Sequence, residues 1–248
     1  MHRFFIEENL RNDDLFTIQG QDLKHIRDVL RLKLGDELEL VSELSVYICE
    51  LSLVTKTIAE ARIIEKLEKV NEPHVRLSLF QGMPKASKME IILQKCTEIG
   101  ISEFHPVTTE RSVIKIRDID KESRKLDRWR SIVEESAKQS RRDIVPSLGR
   151  ILSFEDMMTM LKDKIVLVPY ELEKKNTLEV FFKKISEPKE ICIVIGPEGG
   201  FGNSEIEALK NIGAHTVTLG RRILRTETAG VAVSSIILYE LGDLGVIE

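Results

Sequence analysis

An apolar run, Ile191-Cys-Ile-Val-Ile195, passes without a break into Gly196-Pro-Glu-Gly-Gly-Phe-Gly202. A glycine-dense turn at the end of a buried-type strand fixes a strand–turn–helix unit and leaves bare backbone for a ligand to approach. A tight turn with no ligand satisfies the same residues, so the motif by itself leaves both readings open. Two nucleotide patterns are excluded. A phosphate-cradling Walker loop ends in Gly-Lys-Ser/Thr, whereas Asn203 and Ser204 follow Gly202. The dinucleotide fingerprint needs glycines one and three apart and an acidic residue on a strand about 20 residues on; the spacing here differs, and the equivalent downstream region is apolar with His215. A loop of this kind can hold an uncharged ring such as adenine through backbone hydrogen bonds.

A second dense stretch, Leu219-Gly-Arg-Arg-Ile-Leu-Arg-Thr-Glu-Thr-Ala229, closes the strand-like run His215–Leu219. Residues 226–239 then read as a helix rich in small residues, which permits close packing. Arg225 precedes that helix, whose exposed N–H groups favour developing negative charge. Arg221 and Arg222 also read as a solvated loop edge; Arg225, between Leu224 and Thr226, fits that reading less well.

Residues 1–70 hold short alternating runs (3–7, 15–19, 37–41, 46–53 and 57–64) and one helical stretch, 22–32, with Leu23, Ile26 and Leu30 on a face. Many short strands with one helix predict a small β-barrel. Asn71-Glu72-Pro73 is the natural boundary. Beyond it, strands are expected at 75–81, 104–107, 165–168 and 191–195. Helices are expected from a Ser87/Glu90 capping box to Gly100, over 121–141, and from a Ser204/Glu207 capping box to Gly213. Alternating strands and helices predict a mostly parallel sheet covered on both faces.

Composition is that of an ordinary globular protein, 42% apolar and 31% charged. No apolar run approaches the roughly 18 residues of a membrane span, and no secretory signal opens the chain, so a cytoplasmic location is expected. Cys49, Cys96 and Cys192 are far apart, which suits reduced core thiols and suggests no metal site. A net charge of −4 argues against general nucleic-acid affinity. Acidic residues outnumber basic ones over 1–72 and the reverse holds over 111–142, a distribution that fits a local phosphate contact or a solvated helix face.

The two C-terminal stretches, IGPEGGF and LGRRILRTETA, resemble the signature of the bacterial 16S rRNA (uracil-N3)-methyltransferases of the SPOUT superfamily. The resemblance runs along the whole chain, through Met1–Phe5, His25, Val29–Arg31, Gly35-Asp36, Lys85, Lys88-Met89, Lys95–Gly100, Arg111-Ser112, Gln139–Arg142 and Pro146. It implies an α/β fold with a small N-terminal PUA-like β-barrel (1–71), binding RNA, and a C-terminal trefoil-knotted α/β methyltransferase domain (72–248). That domain would bind S-adenosylmethionine and pair as a homodimer, with 16S rRNA of the small ribosomal subunit as partner. Two departures stand out: Lys138 precedes Gln139 where an acidic residue is expected, and Ser42–Val46 lacks an Asp-Gly turn between barrel strands.

The resemblance places the cofactor among Pro169, Glu171, Gly196, Pro197, Gly199, Gly200, Leu219, Gly220, Ile223, Leu224 and Thr228. Methylating uracil N3 requires loss of its proton, which spreads negative charge onto O2 and O4. A proton acceptor and cationic or N–H donors at those oxygens are therefore needed. Arg225 is the first candidate donor. Glu227 and Glu198 are candidate acceptors, and Glu198 alternatively orders its loop. RNA contacts are expected from Arg3, His25 and Arg31 in the barrel and from Lys85, Lys88, Arg111 and Arg142 beyond it. The rival readings are a knotted methyltransferase acting on a tRNA base or ribose 2′-hydroxyl, and a non-catalytic RNA-binding module.

Overall fold

The structure, a computed structural model, describes residues 1–112 and 119–245. Two compact units divide the chain: residues 1–72 with 137–144, and 73–136 with 145–248. In the first, the alternating runs become β1 (His2–Phe5), β2 (Arg11–Asn12), β3 (Leu15–Ile18), β4 (Glu37–Val41), β5 (Val46–Val54) and β6 (Ala59–Leu67). They form one sheet in the order β1-β4-β5-β6-β3-β2. β1 and β4 are parallel and the other pairs antiparallel. Phe4, Phe16, Leu38, Leu40 and Leu51 pack with Leu23 and Ile26 of the helical segment into its core. That segment is α1 (Gly20–Lys24) running into π-helical turns over His25–Leu30, and it stops at Arg31, which turns left-handed at φ 54°.

The missing Asp-Gly turn has a local substitute. Val41 pairs with Val46, and Ser42 Oγ accepts the N–H groups of Leu44 (3.1 Å) and Ser45 (3.3 Å). A serine side chain thus mimics a turn that glycine would otherwise make. The segment 137–144, expected with the second domain, belongs to the first unit. Asp143 is fully enclosed there, accepting the N–H groups of Val70 and Asn71 at 2.8 Å and pairing with Arg3.

In the second unit the strands are β7 (Arg76–Gly82), β8 (Glu103–Thr108), β9 (Ser147–Leu148), β10 (Leu152–Ser153), β11 (Val166–Pro169), β12 (Glu190–Ile195) and β13 (His215–Val217). The sheet order is β10-β8-β7-β12-β11-β13, with β9 on β8, and every pair is parallel. Successive residues point to opposite faces, so both faces need cover. On one face Leu77, Leu79, Ile191 and Ile193 pack with α2 (Lys88–Ile99), α3 (Ile119–Gln139) and α7 (Thr226–Glu240), through residues such as Ile92, Trp129 and Val233; α5 (Leu178–Phe182) adds Phe181. On the other, Phe80, Val166, Cys192 and Val194 meet Met157 of α4 (Phe154–Met160) and Ile206 and Leu209 of α6 (Asn203–Asn211). All three cysteines are buried, and burial pushes each thiol up to about 12.

Neither expected capping box forms as written. Ser87 flanks α2 but its side chain accepts no cap hydrogen bond. α6 begins earlier than Ser204 implies, with Gly202 at the N-cap, and it is Glu205 whose carboxylate accepts the Gly202 N–H at 2.8 Å.

Candidate functional site

β12, β11 and β13 lie side by side, so their carboxyl ends release three loops at one edge of the sheet. This is where open α/β sheets present ligand sites. A cavity of about 610 Å³ opens there, within the ordinary range for small-molecule sites. Pro169 and Glu171 line it from the first loop, Gly196, Pro197, Gly199 and Gly200 from the second, and Leu219, Gly220, Ile223 and Leu224 from the third. Thr228 is not part of the lining; it is exposed on α7, and its N–H donates to Arg225 O at 2.9 Å.

The glycine-rich loop is held closely. Gly200 sits at φ 65°, and a Cβ there would come within 2.5 Å of Glu171 Oε1. A Cβ on Gly82, at the end of β7, would meet the Pro197 ring at 2.6 Å. From the loop after β8, Arg111 Nη1 donates to Gly199 O at 2.9 Å. Glu205 accepts the Glu110 N–H at 2.8 Å as well as that of Gly202. The loop after β11 is tied by Glu173. The Lys175 N–H leads a set of donors, with the Asn176 N–H, Thr216 Oγ1 and the Asn176 side chain, that overcomes burial and lowers this carboxyl to about 2.

A link not foreseen in the sequence joins the site to α7. Thr226 Oγ1 donates to Gly196 O at 2.7 Å and accepts from Gln81 Nε2 at 2.9 Å. Gln81 is 2% exposed and Thr226 7%. A glutamine after the apolar pair Leu79-Phe80 near the end of β7 was the available signal, since buried polar side chains occur where they have partners. The link sets the first turn of α7 against the ends of β7 and β12.

Arg225 is the N-cap residue of α7, and its side chain is exposed. Arg221 and Arg222 are exposed too, and among the described residues none of the three pairs with a carboxylate. Glu198 lines the cavity and Glu227 stands in the first turn of α7. Lys88, expected on the RNA surface, lines the cavity instead, with Nζ 3.1 Å from Glu198 and 3.2 Å from Glu227. Burial raises the Glu198 carboxyl, but its own N–H, the Lys88 ammonium and the Lys85 N–H together hold it below the usual range.

The remaining expected RNA contacts fall into two groups. Lys85 and Arg111 are exposed beside the cavity, and Arg31 is exposed in the first unit; His25 is half-buried with its ring edge-on to Phe4. Arg3 and Arg142 are buried, at 8% and 4% exposure. Arg3 pairs with Glu39 at 2.9 Å and with Asp143, and Arg142 with Glu72 at 2.5 Å. Their guanidinium groups are engaged inside the first unit, so they are reassigned from phosphate contacts to its internal ion-pair network.

The model of an RNA methyltransferase domain matches residues 71–238, and that of an RNA methyltransferase PUA domain matches residues 18–64. Ribosomal RNA small subunit methyltransferase E of Bacillus subtilis is 35% identical over 97% of both chains. The protein of that name from Aquifex aeolicus is 32% identical over 96% of this chain and 99% of its own. Among solved structures, ribosomal RNA small subunit methyltransferase E of Neisseria gonorrhoeae, bound to S-adenosylmethionine, superposes with a TM-score of 0.84 at 27% identity, covering 97% of this chain and 98% of its own. A Legionella pneumophila structure holding the same cofactor gives 0.86 at 27% identity, covering 96% and 97%. With the domain model spanning well over half of its length, the chain belongs to the RNA methyltransferase family that includes the ribosomal RNA small subunit methyltransferases E.

Proposed function

We propose that the protein transfers the methyl group of S-adenosylmethionine to N3 of a uridine near the 3′ end of 16S rRNA, acting in the cytoplasm as a homodimer paired through the C-terminal domain. One observation carries the reading. Three neighbouring strand ends enclose one cavity beside a helix N-terminus that bears an exposed arginine with no carboxylate partner among the described residues. The donor set suits a neutral ring with a cationic tail: main-chain groups of Gly196, Leu219, Gly220 and Leu224, apolar side chains of Pro169, Ile195 and Leu224, and the carboxylate of Glu198. When bound there, the cofactor supplies an activated methyl.

The chain's own part is alignment, charge stabilisation and exclusion of water. Arg225 and the N–H groups opening α7 face the negative charge that deprotonated uracil places on O2 and O4. Both candidate acceptors stand beside the Lys88 ammonium, at 3.1 and 3.2 Å, but Glu198 also takes the Lys85 N–H on its two oxygens, at 3.1 and 3.3 Å. With fewer donors on it, Glu227, or water it orders, is assigned the N3 proton. Arg221, Arg222, Lys85 and Arg111 supply cations for phosphates around the opening, with Arg31 and His25 on the PUA-family unit. The chain path of the C-terminal domain, residues 72–248, forms a trefoil knot in this reading. Exposed Ile91 on α2 and Ile236 and Tyr239 on α7 support the pairing surface.

Incubating the purified protein with labelled donor and small-subunit rRNA, then separating the nucleosides by mass, tests the reaction. The expected product is N3-methyluridine. A ribose-methylated nucleoside, or label in transfer RNA alone, overturns the assignment.

A further inference from the structure

Lys88 is the first residue of α2, yet its ammonium lies between two carboxylates that belong to other parts of the site. Glu198 is carried by the glycine-rich loop and Glu227 by the first turn of α7. All three side chains are largely shielded, with 25%, 24% and 20% of their surface exposed. The Lys85 N–H adds a second bond from the same pre-helical turn to Glu198, at 3.1 Å. No other part of the described site touches both the loop that would hold the cofactor and the turn that follows Arg225 with a charged group.

We propose that Lys88 is a positioning residue: it locks the glycine-rich loop to the start of α7, fixing the cofactor wall and Arg225 in one register. The inference rests on the proposed methyl transfer for its effect on rate, but the lock itself is a property of the fold. Without the ammonium, two carboxylates face one another across the joint. Like charges at short range cannot both remain ionised at no cost, so the joint would open, or take up a proton at a pH where the parent does not. The charged and donor groups that meet at this joint are Lys88, Glu198, Glu227, the Lys85 N–H and the Glu198 N–H.

Hydrogen exchange and kinetics on Lys88→Met, with Lys88→Arg as the conservative variant, test the proposal. In K88M, amides of 199–201 and 226–228 are expected to exchange faster together. Turnover should fall about 100-fold, the cost of a small misalignment of reacting groups, with KM for RNA changed far less than kcat. Cofactor affinity measured by calorimetry should depend on pH more steeply than in the parent, because two carboxylates then face one another without the ammonium. K88R should restore all three to within about threefold. Faster exchange confined to α2, or a K88M protein with parental kcat and the parent's own pH profile, overturns the lock. So does a loss that K88R leaves unrepaired while melting falls in both variants, because that is a packing defect. If the parent itself neither binds the donor nor methylates RNA, the proposed function fails, and the paired exchange of the two segments still decides the lock.

Discussion

At the scale of single residues, Arg225 and Thr226 stand next to each other in sequence and do different work. Arg225 is exposed, with no carboxylate partner among the described residues. Removing its guanidinium should leave the cofactor wall untouched. Arg225→Ala is therefore expected to lower kcat by about 100- to 1,000-fold, the range for loss of one donor at a developing oxyanion, while donor affinity by calorimetry stays within about threefold. A proportional loss of affinity would move Arg225 from the substrate to the cofactor. Thr226 is buried and ties Gly196 O to the Gln81 amide. Thr226→Val leaves a buried amide and a buried carbonyl without that partner, so denaturant unfolding should show a loss of about 1–3 kcal/mol. The cation at 225 was legible from its place before a helix. The Thr226–Gln81 link was not, because it spans 145 residues of sequence and no local pattern records such a pairing. Arg3 and Arg142 mislead for the opposite reason. Conspicuous arginines in a nucleic-acid protein suggest phosphates, but only the fold shows the enclosed Asp143, Glu39 and Glu72 that claim them.

Among elements, the buried strands were the readable part. Ile191–Ile195 is apolar throughout because both of its faces are covered, and that continuous run is the signature of a parallel sheet. Capping was less readable. Ser87 and Ser204 both have the right spacing to an acidic residue, yet Ser87 stands at the N-cap of α2 with no side-chain cap bond, and the cap of α6 falls earlier, on Gly202 with Glu205. α3 hid the boundary of the first unit, since a helix running through 136–137 carries no break in its periodicity. The loop after β11 gives an element-scale prediction. The folded-state value of Glu173 is lowered to about 2 from 4.5, chiefly by the Lys175 N–H. Its contribution is fully present above pH 4.5 and is lost as pH falls toward 2. Exchange of the 174–176 amides should therefore accelerate across that window, and Glu173→Gln should remove the pH dependence. Unchanged acceleration in the variant would mean another group holds the loop.

For the whole molecule, two bulk properties follow from the proposed reaction. The exposed arginines at 221 and 222 should make RNA binding salt-dependent, and changing both to Gln should reduce the slope of log K against log salt by about 1.5. Sedimentation should show a dimer that Tyr239→Glu dissociates, since a charge at an exposed apolar position of α7 opposes burial. The resemblance read from IGPEGGF and LGRRILRTETA led to the family directly, whereas composition and a net charge of −4 gave no hint of an RNA substrate. Charge averaged over a chain conceals a cationic opening a few residues wide. Crystals of the protein grown with S-adenosylmethionine test the central claim most directly. The donor should lie against main chain from Pro169–Glu171, Gly196–Gly202 and Leu219–Arg225, with its sulfonium on the side of Glu198 and Arg225 open to solvent. A donor seated on the N-terminal sheet, or a cavity left empty at saturating donor, would contradict the account.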